Sequence, residues 1–321
     1  MRRGAAAPMI PVDPARAPAF ARVERGPRGL RLAPEAPPGG VATAPGPDLV
    51  LESAAPVGLR AACLVSEGTL ALGIGALGGV AYSLAIPRAR VVHDRRPPGV
   101  DRALGAAAVN AGLLRDDAGW RAVVLPSLGD VAADLGPGPA AIRPDGRRLA
   151  VLHDGAVHEL ELGADAEPAR HAAGADALAY SGDGTLWTAR GAAVGPPGVE
   201  PADGPAVVAL AGAGAAGVAA ALHADGTVSV WRAGEAAPAA RWAAPCAGAG
   251  AIAVSADGAR VELGVPEGDA PCACIARADD GALVRRVAGA RAIAATPAQD
   301  GLLVAGDWGC AWLTEIPEPK E

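Results

Sequence analysis

Residues 141–162 read AIRPDGRRLAVLHDGAVHELEL, three short apolar runs separated by two Asp-Gly turns, Asp145-Gly146 and Asp154-Gly155. Asp-Gly accepts the positive φ of a tight hairpin, so each pair punctuates antiparallel strands. The stretch therefore predicts a meander of three strands, AIRP, RRLAVL and AVHELEL. The same grammar recurs on both sides of it. A first series of turns runs through AACLVSEGTLAL (Glu67-Gly68), AAAVNAGLL (Asn110 to Gly112), ALAYSGDGTLW (Asp183-Gly184), VVALAGAGAAGVAAAL (near Gly214), AIAVSADGARVEL (Asp257-Gly258) and AIAATPAQDGLLVAG (Asp300-Gly301).

A second series follows each of the first after one short strand: Gly78-Gly79, Asp117 to Gly119, Asp154-Gly155, Arg190-Gly191, Asp225-Gly226, Glu267 to Asp269 and Trp308-Gly309. After these comes a third strand, clearest in AVHELEL, TVSVWRA, CACIARA and CAWLTEI. The repeat is roughly 40 residues long and holds several strands, which is the period of a propeller blade. The innermost runs AIRP, ALAY, AIAV and AIAA are small and apolar, as strands converging on a crowded axis must be.

Composition agrees. The chain has 321 residues, with 44 Gly and 30 Pro beside a 51% hydrophobic fraction and nine aromatics. Glycine and proline at that density disfavour a helical bundle, since each costs about 1 and about 3 kcal/mol inside a helix. With few aromatics, the core must be built from Ala, Val, Leu and Ile. The fold expected is all-β, a seven-bladed β-propeller of four-stranded antiparallel blades over residues 47–316. The last blade ends at its third strand, Cys310 to Ile316, so its fourth is expected from the N-terminal side, Asp48 to Ala54 (DLVLESA), closing the ring. Residues 1–46, rich in proline and arginine, read as a flexible or extended arm with strand-like pieces at Phe20 to Val23 and Gly29 to Leu32; residues 317–321 form a tail.

At Leu222 to Arg232 the sequence LHADGTVSVWR resembles the end of a tryptophan-aspartate (WD) repeat, an Asp-Gly turn leading into a strand that ends in Trp231. IRPDGRRLAVL and AVSADGARVEL are similar to the earlier part of bacterial propeller repeats of that type. The resemblance implies a degenerate WD-like propeller of seven blades and a rigid platform for binding. It departs from the family pattern in two ways: no Gly-His dipeptide occurs, and Arg232 follows Trp231 where the family usually has Asp. The buried His-Ser-Trp-Asp network of such repeats therefore lacks its parts in most blades.

Several functional classes are disfavoured. Net charge is −7, against a nucleic-acid partner, because phosphate binding draws on a basic surface. The basic start is interrupted by Pro8, Pro11, Asp13 and Pro14, so no secretion signal is read, and five cysteines fit reduced thiols in the cytoplasm. Gly68 to Pro87 is uncharged and long enough to span a membrane, but Gly78-Gly79 divides it as a hairpin turn would. GxSxG and a phosphate loop ending in Gly-Lys are absent, and GIGALGG at Gly73 to Gly79 is followed by VAYSLAIP in place of a helix. No metal site is expected among the five histidines. Cys272 and Cys274 share one face of a strand, and a metal there needs Cys246 or Cys310 to approach from a neighbouring strand. The acidic residues Glu67, Asp145, Asp183, Asp257 and Asp300 read as turn formers.

The second turn series is more varied and more contact-like. Its candidate binding residues are Arg115, Asp116, Asp117, His153, Asp154, Arg190, His223, Glu267, Asp307 and Trp308. Trp308 beside Asp307 is either packed between blades or an interface anchor. The expected function is a non-enzymatic, cytoplasmic scaffold, adaptor or sensor subunit recognising a protein or peptide through one face, with no cofactor, no nucleic acid and no membrane. The alternative is a propeller hydrolase or lyase with a carboxylate- or metal-dependent site at the mouth of the central channel.

Overall fold

The computed structural model describes side chains for Cys63, residues 72–74 and most of residues 99–286, and backbone alone for the strands outside those ranges. Three N-terminal strands, β1 (Phe20–Gly26), β2 (Gly29–Pro34) and β3 (Leu49–Leu51), come first. Sheet I follows with β4 (Leu59–Val65), β5 (Leu70–Gly75), β6 (Ala81–Ala85) and β7 (Arg90–Arg95). Sheet II holds β8 (Arg102–Gly105), β9 (Ala111–Asp116), β10 (Gly119–Val124) and β11 (Gly129–Ala132). Sheet III holds β12 (Ala140–Ile142), β13 (Arg148–His153), β14 (Ala156–Glu161) and β15 (Ala169–His171).

Sheet IV has β16 (Ala177–Tyr180), β17 (Leu186–Arg190) and β18 (Ala193–Gly195). Sheet V has β19 (Val207–Gly212), β20 (Val218–His223), β21 (Thr227–Arg232) and β22 (Ala240–Ala243). Sheet VI has β23 (Ala251–Val254), β24 (Arg260–Val265), β25 (Cys272–Arg277) and β26 (Leu283–Ala288), and sheet VII has β27 (Ala292–Ala295), β28 (Gly301–Gly306) and β29 (Gly309–Thr314). The strands that open the sheets, β4, β8, β12, β16, β19, β23 and β27, each lie beside the next, and β27 returns to β4. This is a β-propeller.

The expectation of seven four-stranded blades closed by an N-terminal strand is corrected in two respects. Among the described residues full blades number five, not seven: sheets I, II, III and V, and β23–β26 of sheet VI, while sheets IV and VII hold three strands each. In sheet IV the physical reason is proline. β18 runs directly into Pro196-Pro197, and Pro201 and Pro205 follow, so the segment lacks the amides a fourth strand would donate. The second correction concerns closure. β3 makes no pair with β29; it pairs with β2, Leu30 opposite Leu51, and β1 joins β26 in parallel, Ala21 opposite Val287. For β3, the neighbouring β2 costs less loop-closure entropy than β29 at the far end of the chain, whereas β1 does cross that distance to reach β26.

The uncharged segment from Gly68 to Pro87 contributes β5 and β6, paired antiparallel with Leu70 opposite Ala85. Among the described residues no helix is long and apolar enough to cross a membrane.

Neighbouring sheets pack face to face, so a central strand is buried on both sides. β20, VAAALH, is buried along its whole length. Val218, Ala220 and Leu222 face sheet VI, and Ala219 and Ala221 face sheet IV. Alanine suits such a strand because both flanking sheets come close. Aromatics fill the wider gaps. Trp120 lies between sheets II and III, Trp187 and Trp231 between IV and V, and Trp242 between V and VI. The Trp242 indole donates to the Ala278 carbonyl at 3.1 Å and covers Gly281, where a Cβ would come within 2.5 Å of its ring.

Candidate functional site

The turns divide between two faces. On the first, the inner hairpins use one device. In Arg143 to Gly146, Ser181 to Gly184 and Ser255 to Gly258, the glycine amide donates to the carbonyl three residues back, and the aspartate just before it accepts from the amide two residues on. In sheets IV and VI a buried serine completes the turn: Ser181 Oγ donates to Asp183 and Ser255 Oγ to Asp257, each at 2.6 Å. Partial burial works against ionisation there, but the Ser181 hydroxyl and Thr185 amide hold the Asp183 carboxyl below the ordinary range. Trp187 Nε1 donates to Ser181 Oγ at 3.0 Å, so one indole, one hydroxyl and one carboxylate form a single hydrogen-bonded chain. Asp145, Asp183 and Asp257 thus act as turn formers. Glu67 and Asp300 lie outside the described residues.

The second face carries the other hairpins and the connections between sheets. Each described hairpin here is fastened to the connection that enters its own sheet. Arg115, at the end of β9, forms a two-pronged pair with Asp101, its Nε donating to Oδ1 at 2.9 Å and its Nη2 to Oδ2. The same guanidinium lies 5.7 Å from the centre of the Trp120 ring, whose Nε1 donates to the Gly138 carbonyl at 2.7 Å. The His153 imidazole covers Gly136, where a Cβ would meet Nδ1 at 2.5 Å. The Gly191 amide, next to Arg190, donates to Asp176 Oδ2 at 2.6 Å. His223 is buried with Nδ1 at 3.0 Å from the Pro205 carbonyl and Nε2 at 3.0 Å from Ser229 Oγ. A carbonyl only accepts, so Nδ1 carries the proton.

The ten residues expected on this face therefore separate by role. Arg115 and His223 hold the turns in place, and Asp116 accepts from the Ala118 amide at 3.0 Å with Arg121 3.5 Å away. Arg190 is half-buried. Asp117 and Asp154 are exposed, the Asp154 side chain at 82%, while His153 is half-exposed with its ring over Gly136. Glu267, Asp307 and Trp308 lie outside the described residues. In the Asp154-Gly155 turn both residues have positive φ, 48° and 73°, and His153 pairs directly with Ala156. Aspartate tolerates that conformation and glycine prefers it. Sequence reasoning missed Asp101 and Asp176, the acceptors on the connections. Their signal is an aspartate immediately before the first strand of the sheet, visible at both positions.

No protein-family model and no curated protein matches this chain. The propeller is accordingly established by strand order and pairing. Among the described residues no group of three or more His, Cys, Asp or Glu is placed to hold a metal ion. Cys246 does reach the Cys272 and Cys274 pair, and the three share one buried cluster.

Proposed function

We propose that this chain is a non-enzymatic, cytoplasmic interaction platform, a degenerate WD-like propeller that recognises a protein or peptide partner through the face carrying the second turn series. The observation that carries the reading is the division of labour on that face. Its hairpins are tied to the connections by Arg115–Asp101, Gly191–Asp176 and His223–Pro205, so the loops form a rigid surface. Asp117 and Asp154 stand exposed on top of it. Rigid loops bind without a large ordering cost, and affinity then depends on a few anchors more than on buried area. Exposed carboxylates select a partner segment bearing arginine or lysine and repel phosphate backbones. The Asp225-Gly226 turn, the His223–Ser229 contact and buried Trp231 support the WD-like description.

The test uses two full-length variants. Asp117→Arg with Asp154→Asn reverses the charge of this face while keeping a residue that accepts positive φ at position 154. Arg147→Glu alters an exposed residue on the opposite turns. The reading expects the first variant to lose a partner captured from native extract by the wild-type chain, and the second to keep it. Equal capture by the first variant, or loss confined to the second, overturns the assignment.

A further inference from the structure

Three thiols converge between sheets V and VI. Cys272 and Cys274 project from one face of β25 into the buried cluster shared by the two sheets, and Cys246 enters it from the connection between β22 and β23. That connection is seated at the right place: a Cβ on Gly248 would lie 3.7 Å from Val265, and Val265 is the cross-strand partner of Cys272. Each of the three thiols influences the ionisation of the others. Arg286, opposite Cys274 on β26, turns its Nη2 to Cys272 Sγ at 3.6 Å. All three thiols are free.

We propose that Cys246 and Cys272 close into a reversible disulfide when the protein meets a hydroperoxide, making the junction between sheets V and VI redox-sensitive. Geometry selects this pair. Residues i and i+2 of one strand are about 6.6 Å apart along the chain, while a disulfide holds its Cβ atoms about 3.8 Å apart, so Cys272 and Cys274 cannot join on a regular strand. Cys246 sits on a connection and is free of that constraint. Of the three buried thiols, Cys246 and Cys272 keep 4% and 3% of their surface exposed and Cys274 keeps none.

The chemistry is directional. Hydrogen bonds from Cys246 and Cys274, with the Arg286 charge, hold the Cys272 thiol well below the ordinary thiol range, and the bond to Cys272 pushes Cys246 up to about 12. Cys272 is then the thiolate, the form that attacks. Its sulfur takes the terminal oxygen of the hydroperoxide as the O–O bond breaks, giving a sulfenic acid and, with one proton, an alcohol or water. The Cys246 sulfur attacks the sulfenic sulfur, the S–S bond forms, the S–O bond breaks, and hydroxide leaves as water with the Cys246 proton. Two thiols and one hydroperoxide give one disulfide, one alcohol or water, and one further water.

The experiment treats the full chain with hydrogen peroxide, alkylates remaining thiols, and maps peptides by mass spectrometry. The expected product is a Cys246–Cys272 cross-linked peptide, removed by dithiothreitol, with Cys274 alkylated. Cys274→Ser is expected to retain the cross-link; Cys246→Ser is expected to leave a sulfenic acid on Cys272 that dimedone labels. Full alkylation of Cys246 and Cys272 after peroxide overturns the proposal, as does a cross-link through Cys274 or a metal ion co-purifying with the thiols. Should a serine variant fail to fold, the wild-type map alone decides.

Discussion

Replacing Gly212 with alanine tests how closely the inner strands approach. Gly212 ends β19, opposite Ala219, at the seam with sheet IV. A Cβ there would lie 2.2 Å from the Tyr180 carbonyl oxygen, 2.6 Å from its carbon and 2.8 Å from the Ser181 nitrogen. Every one of these is a backbone atom, so no side chain can swing away. Favourable contact needs roughly 3.5 Å, and the two strands must part by about 1 Å. Overpacking of this kind costs about 1–3 kcal/mol. The same movement stretches the bond from the Gly182 amide to the Ala213 carbonyl, now 2.7 Å, a further ~1 kcal/mol. The expected destabilisation is about 2–4 kcal/mol, read as a lower urea midpoint at unchanged slope. Gly174→Ala is the matched control, because its nearest atom to a new Cβ is 3.9 Å away and its stability is expected to change by less than about 0.5 kcal/mol. If both variants unfold at one midpoint, the inner strands do not crowd as described.

Other predictions address single contacts. Glu262 is buried with Oε2 unpartnered, and loss of water pushes its carboxyl up to about 8. The folded chain then holds a proton that the unfolded chain releases near 4.5, so stability falls as pH rises from about 4.5 to about 8, by roughly 5 kcal/mol as an upper bound. Glu262→Gln is expected to flatten that slope in denaturation at several pH values. An unchanged slope contradicts the assignment. Ser181→Ala removes the acceptor of the Trp187 indole and is expected to cost about 1–3 kcal/mol, measured by thermal unfolding. Trp242→Ala empties the space over Gly281 and orphans the Ala278 carbonyl, with an expected loss of about 3–5 kcal/mol in the same assay.

The repeat was legible because its turns are written in residues with a physical reason to be there. Asp154-Gly155 and the hairpins at Asp145, Asp183 and Asp257 fall where the two turn series place them, and AIRP, ALAY, AIAV and AIAA all contribute first strands. Two departures lie in what local pattern does not encode. Pro196-Pro197 marks the end of β18, but nothing local shows that the sheet has no other strand to recruit. The pairing of β1 with β26 joins segments some 265 residues apart, and an apolar triplet such as Leu49–Leu51 carries no sign of its partner.

Local sequence shows which turns share a face, but not which of their side chains are spent on holding them in place. Arg115 and His223 have the chemistry of contact residues, and that chemistry is spent on Asp101 and Pro205, partners brought in by the connections. The thiol cluster shows the same boundary. Cys272 and Cys274 share a face by strand period alone, whereas the arrival of Cys246 depends on how the connection from β22 crosses to β23.

The central claim is that the face of Asp117 and Asp154 meets the partner. A photo-activated cross-linking residue placed at Asp117, and separately at Arg147 on the opposite turns, tests it in the cell that makes the protein. The account predicts one discrete protein adduct from position 117 and none from 147. Adducts from 147 alone, or the same adducts from both positions, would contradict it.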